Sequence, residues 1–274
     1  MTTAKAHHIP VPSPTAPIGV FDSGVGGLSV LKAVRQALPQ EHLLYVADSA
    51  NAPYGDRHAS FIEDRALAMA QFLVSANAKA IVVACNTATV VAIKKLRALY
   101  PLPIVAMEPA IKPAVELSQS RVVGVLATRR TLESPSVAQL CRLYGQDTRI
   151  MLQPCPGLVE QVERGDADSD FTRQLLEHYL APLLSAGADT LVLGCTHYPF
   201  LEPQIRKLVG PGVAIVESSA AVARQLQHRL AGSLNPGDDT NIPQARFFTT
   251  GSADQAHALV SLLWGASVEV HSVC

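Results

Sequence analysis

Two short apolar runs, each ending on a cysteine, constrain the fold of this chain more than any other feature. Ala80-Ile81-Val82-Val83-Ala84 leads into Cys85-Asn86-Thr87, and Thr190-Leu191-Val192-Leu193-Gly194 leads into Cys195-Thr196-His197. Runs of β-branched and leucine residues this short, bounded by polar residues, read as buried parallel strands. The residue just past the carboxyl end of such a strand faces the crevice where α/β proteins bind ligands. Both thiols are therefore expected at a site, with amide, hydroxyl and imidazole groups beside them that favour a thiolate.

The rest of the chain fits strands alternating with helices, the pattern of parallel sheets in an α/β architecture. Strands are expected at 18–21, 42–47, 80–84, 101–106, 121–127, 149–153, 190–194, 213–216, 245–249 and 268–271. Helices are expected over 28–37, 61–76, from Asn86 to Leu99, after Thr128, over 170–186 and over 219–231. The pattern restarts midway: Gly19-Val20-Phe21-Asp22-Ser23 has a counterpart in Gly124-Val125-Leu126-Ala127-Thr128, and the cysteine strands follow in matching places. Two similar halves of this kind, facing each other, bring the carboxyl ends of both sheets to one central cleft.

Composition narrows the class. The chain has 274 residues, 48% of them hydrophobic and 16% charged, and a net charge of -1. That describes a globular protein with a sizeable core and gives no electrostatic reason to expect nucleic acid or an anionic membrane as partner. No run approaches the ~20 apolar residues of a transmembrane helix. Five cysteines, Cys85, Cys141, Cys155, Cys195 and Cys274, lack framework spacing and follow no secretory signal, so reduced thiols in the cytoplasm are expected. Metal-ligand spacing is absent too, and no metal is expected. Residues 1–17, rich in Pro, Thr and Ala, read as a disordered extension.

The turn Asp22-Ser23-Gly24-Val25-Gly26-Gly27 invites a nucleotide reading, but it lacks the G-x-G-x-x-G spacing, and Asp22 would repel a pyrophosphate. Its glycines instead let the backbone approach a small ligand, whose carboxylate could sit on amides at the helix start near Leu28. A helix cap is the plainer role for Ser23. A buried structural cysteine is the commoner fate of any single Cys, and Cys141, Cys155 and Cys274 are read that way. The paired setting singles out Cys85 and Cys195. A thiol with its pKa lowered is a base near neutral pH, and two of them across one substrate suit a racemase or epimerase. Asp22 could exchange a proton with Cys85, and His197 with Cys195. Asn86, Thr87 and Thr196 offer uncharged groups to an amino acid, and Tyr54, in the loop Asp48–Gly55, is a further contact candidate.

Together, Gly19-Val20-Phe21-Asp22-Ser23-Gly24-Val25-Gly26-Gly27, Pro53-Tyr54-Gly55, Ala84-Cys85-Asn86-Thr87 and Gly194-Cys195-Thr196-His197-Tyr198-Pro199 resemble the bacterial glutamate racemases, in the right order from Ile18 to about Gly251. The resemblance implies two similar α/β domains around a cleft, 18–109 plus 219–274 and 110–218. It implies interconversion of L- and D-glutamate without cofactor, supplying peptidoglycan. Cys85 resembles the base for D-glutamate and Cys195 the base for L-glutamate, with Asp22, His197 and Glu163 as auxiliary groups; Glu160 is a weaker match than Glu163. Substrate contacts are implied at Asp22, Ser23, Tyr54, Gly55, Asn86, Thr87, Thr196 and His197. Where the family usually reads Thr-Ala-Arg after Asp48, this chain has Ser49-Ala50-Asn51, which puts an arginine's role there in doubt. Racemisation of aspartate or another acidic amino acid, and a non-catalytic amino-acid-binding protein, are the alternatives. A binding protein would need neither thiol, and a redox protein would want Cys-x-x-Cys. The partner is a small molecule; a homodimer is left open.

Overall fold

A computed structural model of the chain describes residues 12–237 and 242–273. Strands β1 (Ile18–Asp22), β2 (Leu43–Ala47), β3 (Ala80–Val83) and β4 (Ile104–Ala106) form the first sheet. Strands β5 (Val122–Ala127), β6 (Arg149–Pro154), β7 (Thr190–Leu193) and β8 (Ala214–Val216) form the second. The chain then returns, and β9 (Ala245–Thr249) and β10 (Val270–Ser272) extend the first sheet beside β2. Every pairing is parallel.

The sheet orders are β10-β9-β2-β1-β3-β4 and β6-β5-β7-β8, so the second sheet repeats the β2-β1-β3-β4 arrangement of the first. Register repeats as well: Gly19 lies beside Ile81 of β3, and Gly124 beside Leu191 of β7. The repeat read from the sequence is thus a repeat of topology. In each half the order reverses beside the first strand, and ligands bind at such switch points. Cys85 and Cys195 occupy equivalent places there, just beyond β3 and β7.

Helices cover the faces, which is why β1, β2, β3 and β7 are buried along their whole length. Each buried Val, Leu or Ile contributes ~1.5–3 kcal/mol. The expected 101–106 strand shrinks to Ile104–Ala106, because Pro101 and Pro103 have no N–H for a ladder. Four helices escaped the periodicity: Ile111–Leu117, Leu158–Arg164, Glu202–Val209 and Ala253–Trp264. Leu158–Arg164 is bounded by Gly157 and Gly165, both at positive φ, and is too short to show a period. Where the chain crosses between the sheets, the Ser218 hydroxyl donates to the Glu108 carbonyl at 2.6 Å, tying the two crossovers together.

The expected disorder of residues 1–17 needs correction in part. Residues 1–11 lie outside the described residues, as does Cys274, but within 12–17 Ala16 is buried and the Pro17 carbonyl accepts the Lys79 N–H at 2.9 Å. The clasp is Lys79, a buried side chain whose ammonium lies 2.6 Å from Glu41 and donates to the carbonyls of Pro14 and Ser233. Glu41 also accepts the Asn235 N–H at 2.8 Å. Removing one partner of a buried pair strands the other charge, at a cost of about 3–5 kcal/mol. Lys79→Met should therefore lower stability by about 3 kcal/mol, read as a fall in the urea midpoint with little change in slope.

Candidate active site

The carboxyl ends of both sheets converge on one small chamber of about 10 Å³. Ser23, Tyr54, Gly55, Cys85, Asn86 and Thr87 wall it from the first sheet; Thr128, Val159 and the segment Gly194–His197 wall it from the second. Both thiols are buried, Cys85 at 4% exposure and Cys195 at 7%.

Cys85 sits at the N-cap of the helix Asn86–Leu99, where its sulfur accepts the Ala88 N–H at 3.4 Å. A helix N-terminus favours a thiolate, as the sequence led one to expect. Burial outweighs it: desolvation, reinforced by the Asp22 charge, pushes the Cys85 thiol well above its ordinary pKa despite the Ala88 and Ser23 bonds. The Ser23 hydroxyl lies 3.7 Å from the sulfur and 3.4 Å from the Asp22 carboxylate. Ser23 therefore stands between the two groups that were expected to exchange a proton.

The second thiol has different company. Cys195 Sγ lies 3.7 Å from His197 Nδ1, and His197 Nε2 lies 2.6 Å from Glu163 Oε1. Burial by itself would lower the His197 pKa, but the bonds and charges of Cys195 and Glu163 prevail and hold it well above the ordinary value. The two thiols thus meet different electrostatics, a carboxylate near one and an imidazolium beside the other.

The glycine turn works differently from the expectation that it opens the backbone to a ligand. Its amides serve the chain's own carboxylates: Gly27 N–H donates to Asp22 at 2.7 Å and Val25 N–H to Glu163 at 2.8 Å. A Cβ on Gly24 would lie 1.8 Å from Glu163 Oε1, and one on Gly26 would lie 2.3 Å from His197 Nδ1. These glycines make room for side chains of the second half. Asp22 is fully buried beneath the chamber, where Thr196 Oγ1 donates to it at 3.4 Å.

Asn86 stands out, because a buried amide normally finds partners. At 3% exposure, both its Oδ1 and its Nδ2 lack a hydrogen bond while lining the chamber. Tyr54, by contrast, lines the chamber with its hydroxyl proton already engaged, donated to Asp48 at 2.5 Å. No group of three or more His, Cys, Asp or Glu among the described residues could hold a metal ion.

With this geometry in view, the comparisons decide the family. The sequence model described as Asp/Glu/Hydantoin racemase matches residues 18–226. The chain belongs to that family. It is 50% identical over 257 residues to a glutamate racemase of Ectopseudomonas mendocina, across 93% of this chain and 97% of the relative. A glutamate racemase isoform from Bacillus anthracis superposes with a TM-score of 0.84 at 33% identity, covering 94% of this chain and 97% of that one. The Francisella tularensis glutamate racemase, solved in complex with D-glutamate, gives a TM-score of 0.82 at 28% identity, covering 95% and 98%.

Three residues of the site escaped the sequence reading. Thr128 caps the short helix Arg129–Leu132 and joins a hydroxyl cluster with Thr87, at 2.9 Å, and Thr131, at 3.0 Å. Its signal was present, since the internal repeat sets Thr128 opposite Ser23. Asp48 and Arg65 are joined across 17 residues of sequence, and no local pattern announces them. Asn51, where the resemblance led one to expect arginine, donates to Asp48 at 2.9 Å, while the guanidinium on that carboxylate comes from Arg65.

Asp22 yields a pH test. Burial raises its pKa above the ordinary carboxylate value, the His197 charge and backbone bonds notwithstanding. The native state then holds a proton that the unfolded chain has released, so stability is lost as pH rises through the folded value. Asp22→Asn should be more stable than the parent at pH 7, with the advantage shrinking as pH falls toward 3.8. Urea midpoints measured across that range check the sign.

Proposed function

We propose that the chain is a glutamate racemase using two thiols, Cys85 and Cys195, on opposite faces of the substrate's α-carbon. Two buried cysteines at equivalent strand ends of a duplicated fold, with an unpaired Asn86 amide between their walls, carry this reading. Inversion needs one group to remove the α-proton and another to deliver one from the far side. Cys85 takes the proton from D-glutamate and Cys195 from L-glutamate; the other thiol donates in each case.

Asp22 and, on the other side, His197 with Glu163 set the protonation of the thiols. Cys85, raised by burial, needs a cation to act as a base, and an opposite charge within about 4–6 Å lowers a pKa. The substrate ammonium is that cation. Ser23, Asn86, Thr87, Thr128, Thr196 and His197 offer hydrogen bonds to the substrate, with Tyr54 and Gly55 forming the wall. The bound D-glutamate of the Francisella protein supports the substrate, and no cofactor is needed.

A chamber of about 10 Å³ holds roughly one water, so an amino acid enters only as the two sheets part. We take the moving units as 18–109 with 219–274, and 110–218, hinged at the Glu108–Ser218 crossovers. D-glutamate formed in the cytoplasm would feed peptidoglycan synthesis.

A coupled D-glutamate assay tests the activity, which should survive dialysis against chelator; restoration only by a metal or pyridoxal phosphate would overturn the cofactor-free mechanism. In heavy water the product enantiomer should gain deuterium at the α-carbon well before the recovered substrate does. Cys85→Ala and Cys195→Ala should each abolish racemisation. With analogues carrying a β leaving group, Cys85→Ala should lose elimination from the D-form and keep it from the L-form, and Cys195→Ala the reverse. Loss of both eliminations in both variants, with binding retained, would mean the thiols do not act as independent bases.

A further inference from the structure

Asp48 lies just past the carboxyl end of β2, fully buried, and takes no part in the proton transfers. Its two oxygens collect five donors from three parts of the chain. Oδ2 accepts the Tyr54 hydroxyl at 2.5 Å and Arg65 Nε at 2.9 Å; Oδ1 accepts Arg65 Nη2 at 2.7 Å, Thr250 Oγ1 at 2.8 Å and Asn51 Nδ2 at 2.9 Å. Arg65 comes from the helix Ala59–Ser75 and Thr250 from the end of β9. Burial alone would raise the Asp48 pKa, but the bonds from Arg65, Tyr54, Asn51 and Thr250 hold it below the ordinary range.

The segment between Asp48 and Gly55 has only one 3-10 turn, Ser49–Asn51, to define it. Yet this segment presents Pro53, Tyr54 and Gly55 to the chamber. Gly55 also meets the second half: a Cβ there would stand 3.2 Å from the Thr128 side chain. The wall is therefore fixed by the Asp48 carboxylate rather than by regular structure. A fork of two parallel bonds fixes direction as well as distance, which a lysine cannot do.

We infer that Arg65, acting through Asp48, is a positioning residue that holds the Tyr54–Gly55 wall against the substrate and cancels the buried Asp48 charge behind it. Without the guanidinium, a bare carboxylate lies behind the wall, tilting Tyr54 and repelling an anionic amino acid. The inference rests on the glutamate racemase reading above. It concerns binding more than proton transfer, because neither Arg65 nor Asp48 reaches the thiols.

The test is a set of four variants, Arg65→Met, Arg65→Lys, Asp48→Asn and the double Arg65→Met/Asp48→Asn, each assayed for KM and kcat with L-glutamate and for its melting temperature. A charge-assisted bond to a buried group corresponds to about tenfold in an equilibrium constant. Arg65→Met should raise KM by about that factor with a smaller fall in kcat, and Arg65→Lys should lie between it and the parent. The double variant should recover most of the KM of the parent, because the amide that replaces the Asp48 carboxylate carries no charge and still accepts from Tyr54. The inference is overturned if Arg65→Met leaves KM within about twofold of the parent, or if the double variant binds no better than Arg65→Met. It is overturned equally if the variants lose only apparent kcat, in step with the fraction folded, while KM stays that of the parent. Should Arg65→Met fail to fold, Arg65→Lys and Asp48→Asn decide by the same KM-against-kcat split. A parent protein that does not racemise glutamate would count against the proposed function itself, a separate result.

Discussion

Glu163 reaching across to the glycine turn is the contact on which the site depends. One carboxylate oxygen takes the Val25 N–H of the first half and faces His197 of the second. Asp22 takes a second amide of the same turn, at Gly27. The turn that ends β1 is thus a socket for two carboxylates, one from each half. The Ser29 hydroxyl adds a second tie, donating to the Thr196 carbonyl at 3.0 Å. Buried carboxylates are costly unless hydrogen-bonded; here the backbone amides at the helix start supply bonds to both, and His197 adds its charge beside Glu163.

The duplicated topology explains why the two thiols are alike in place and unlike in chemistry. Each follows the third strand of its half, at a switch point, because a parallel sheet delivers its loops to one edge. Their neighbours differ. Cys85 opens a 14-residue helix and has Asp22 nearby, whereas Cys195 is followed by a tight turn that brings His197 back to its sulfur. A reaction that must run both ways at one carbon needs two such groups, and it does not need them to be identical.

Much of this was legible in the residues. Short apolar runs alternating with helical stretches gave the parallel α/β class, since strand burial on both faces leaves no polar alternation. The cysteines, the Asn86-Thr87 and Thr196-His197 pairs and the glycine turn were visible because each lies beside a strand end. Leu158–Arg164, the helix that carries Glu163, was not visible as a helix, and Glu163 itself was reached only through the family resemblance. Thr128 was visible in principle through the repeat but was passed over as a turn.

Local pattern therefore determined which strands are buried, where their loops emerge and which polar residues stand at those ends. Tertiary structure alone decided the rest, because the deciding interactions join residues far apart in sequence. The glycines at 24 and 26 look like an opening for a ligand until Glu163 and His197 are seen to fill it. The helix N-cap at Cys85 points toward a thiolate until burial beside Asp22 reverses the sign. Asp48 looks like no more than the start of a loop until Arg65, Tyr54 and Thr250 converge on it. Desolvation and long-range pairing depend on what the folded chain places around a group, and neighbours in sequence do not specify that.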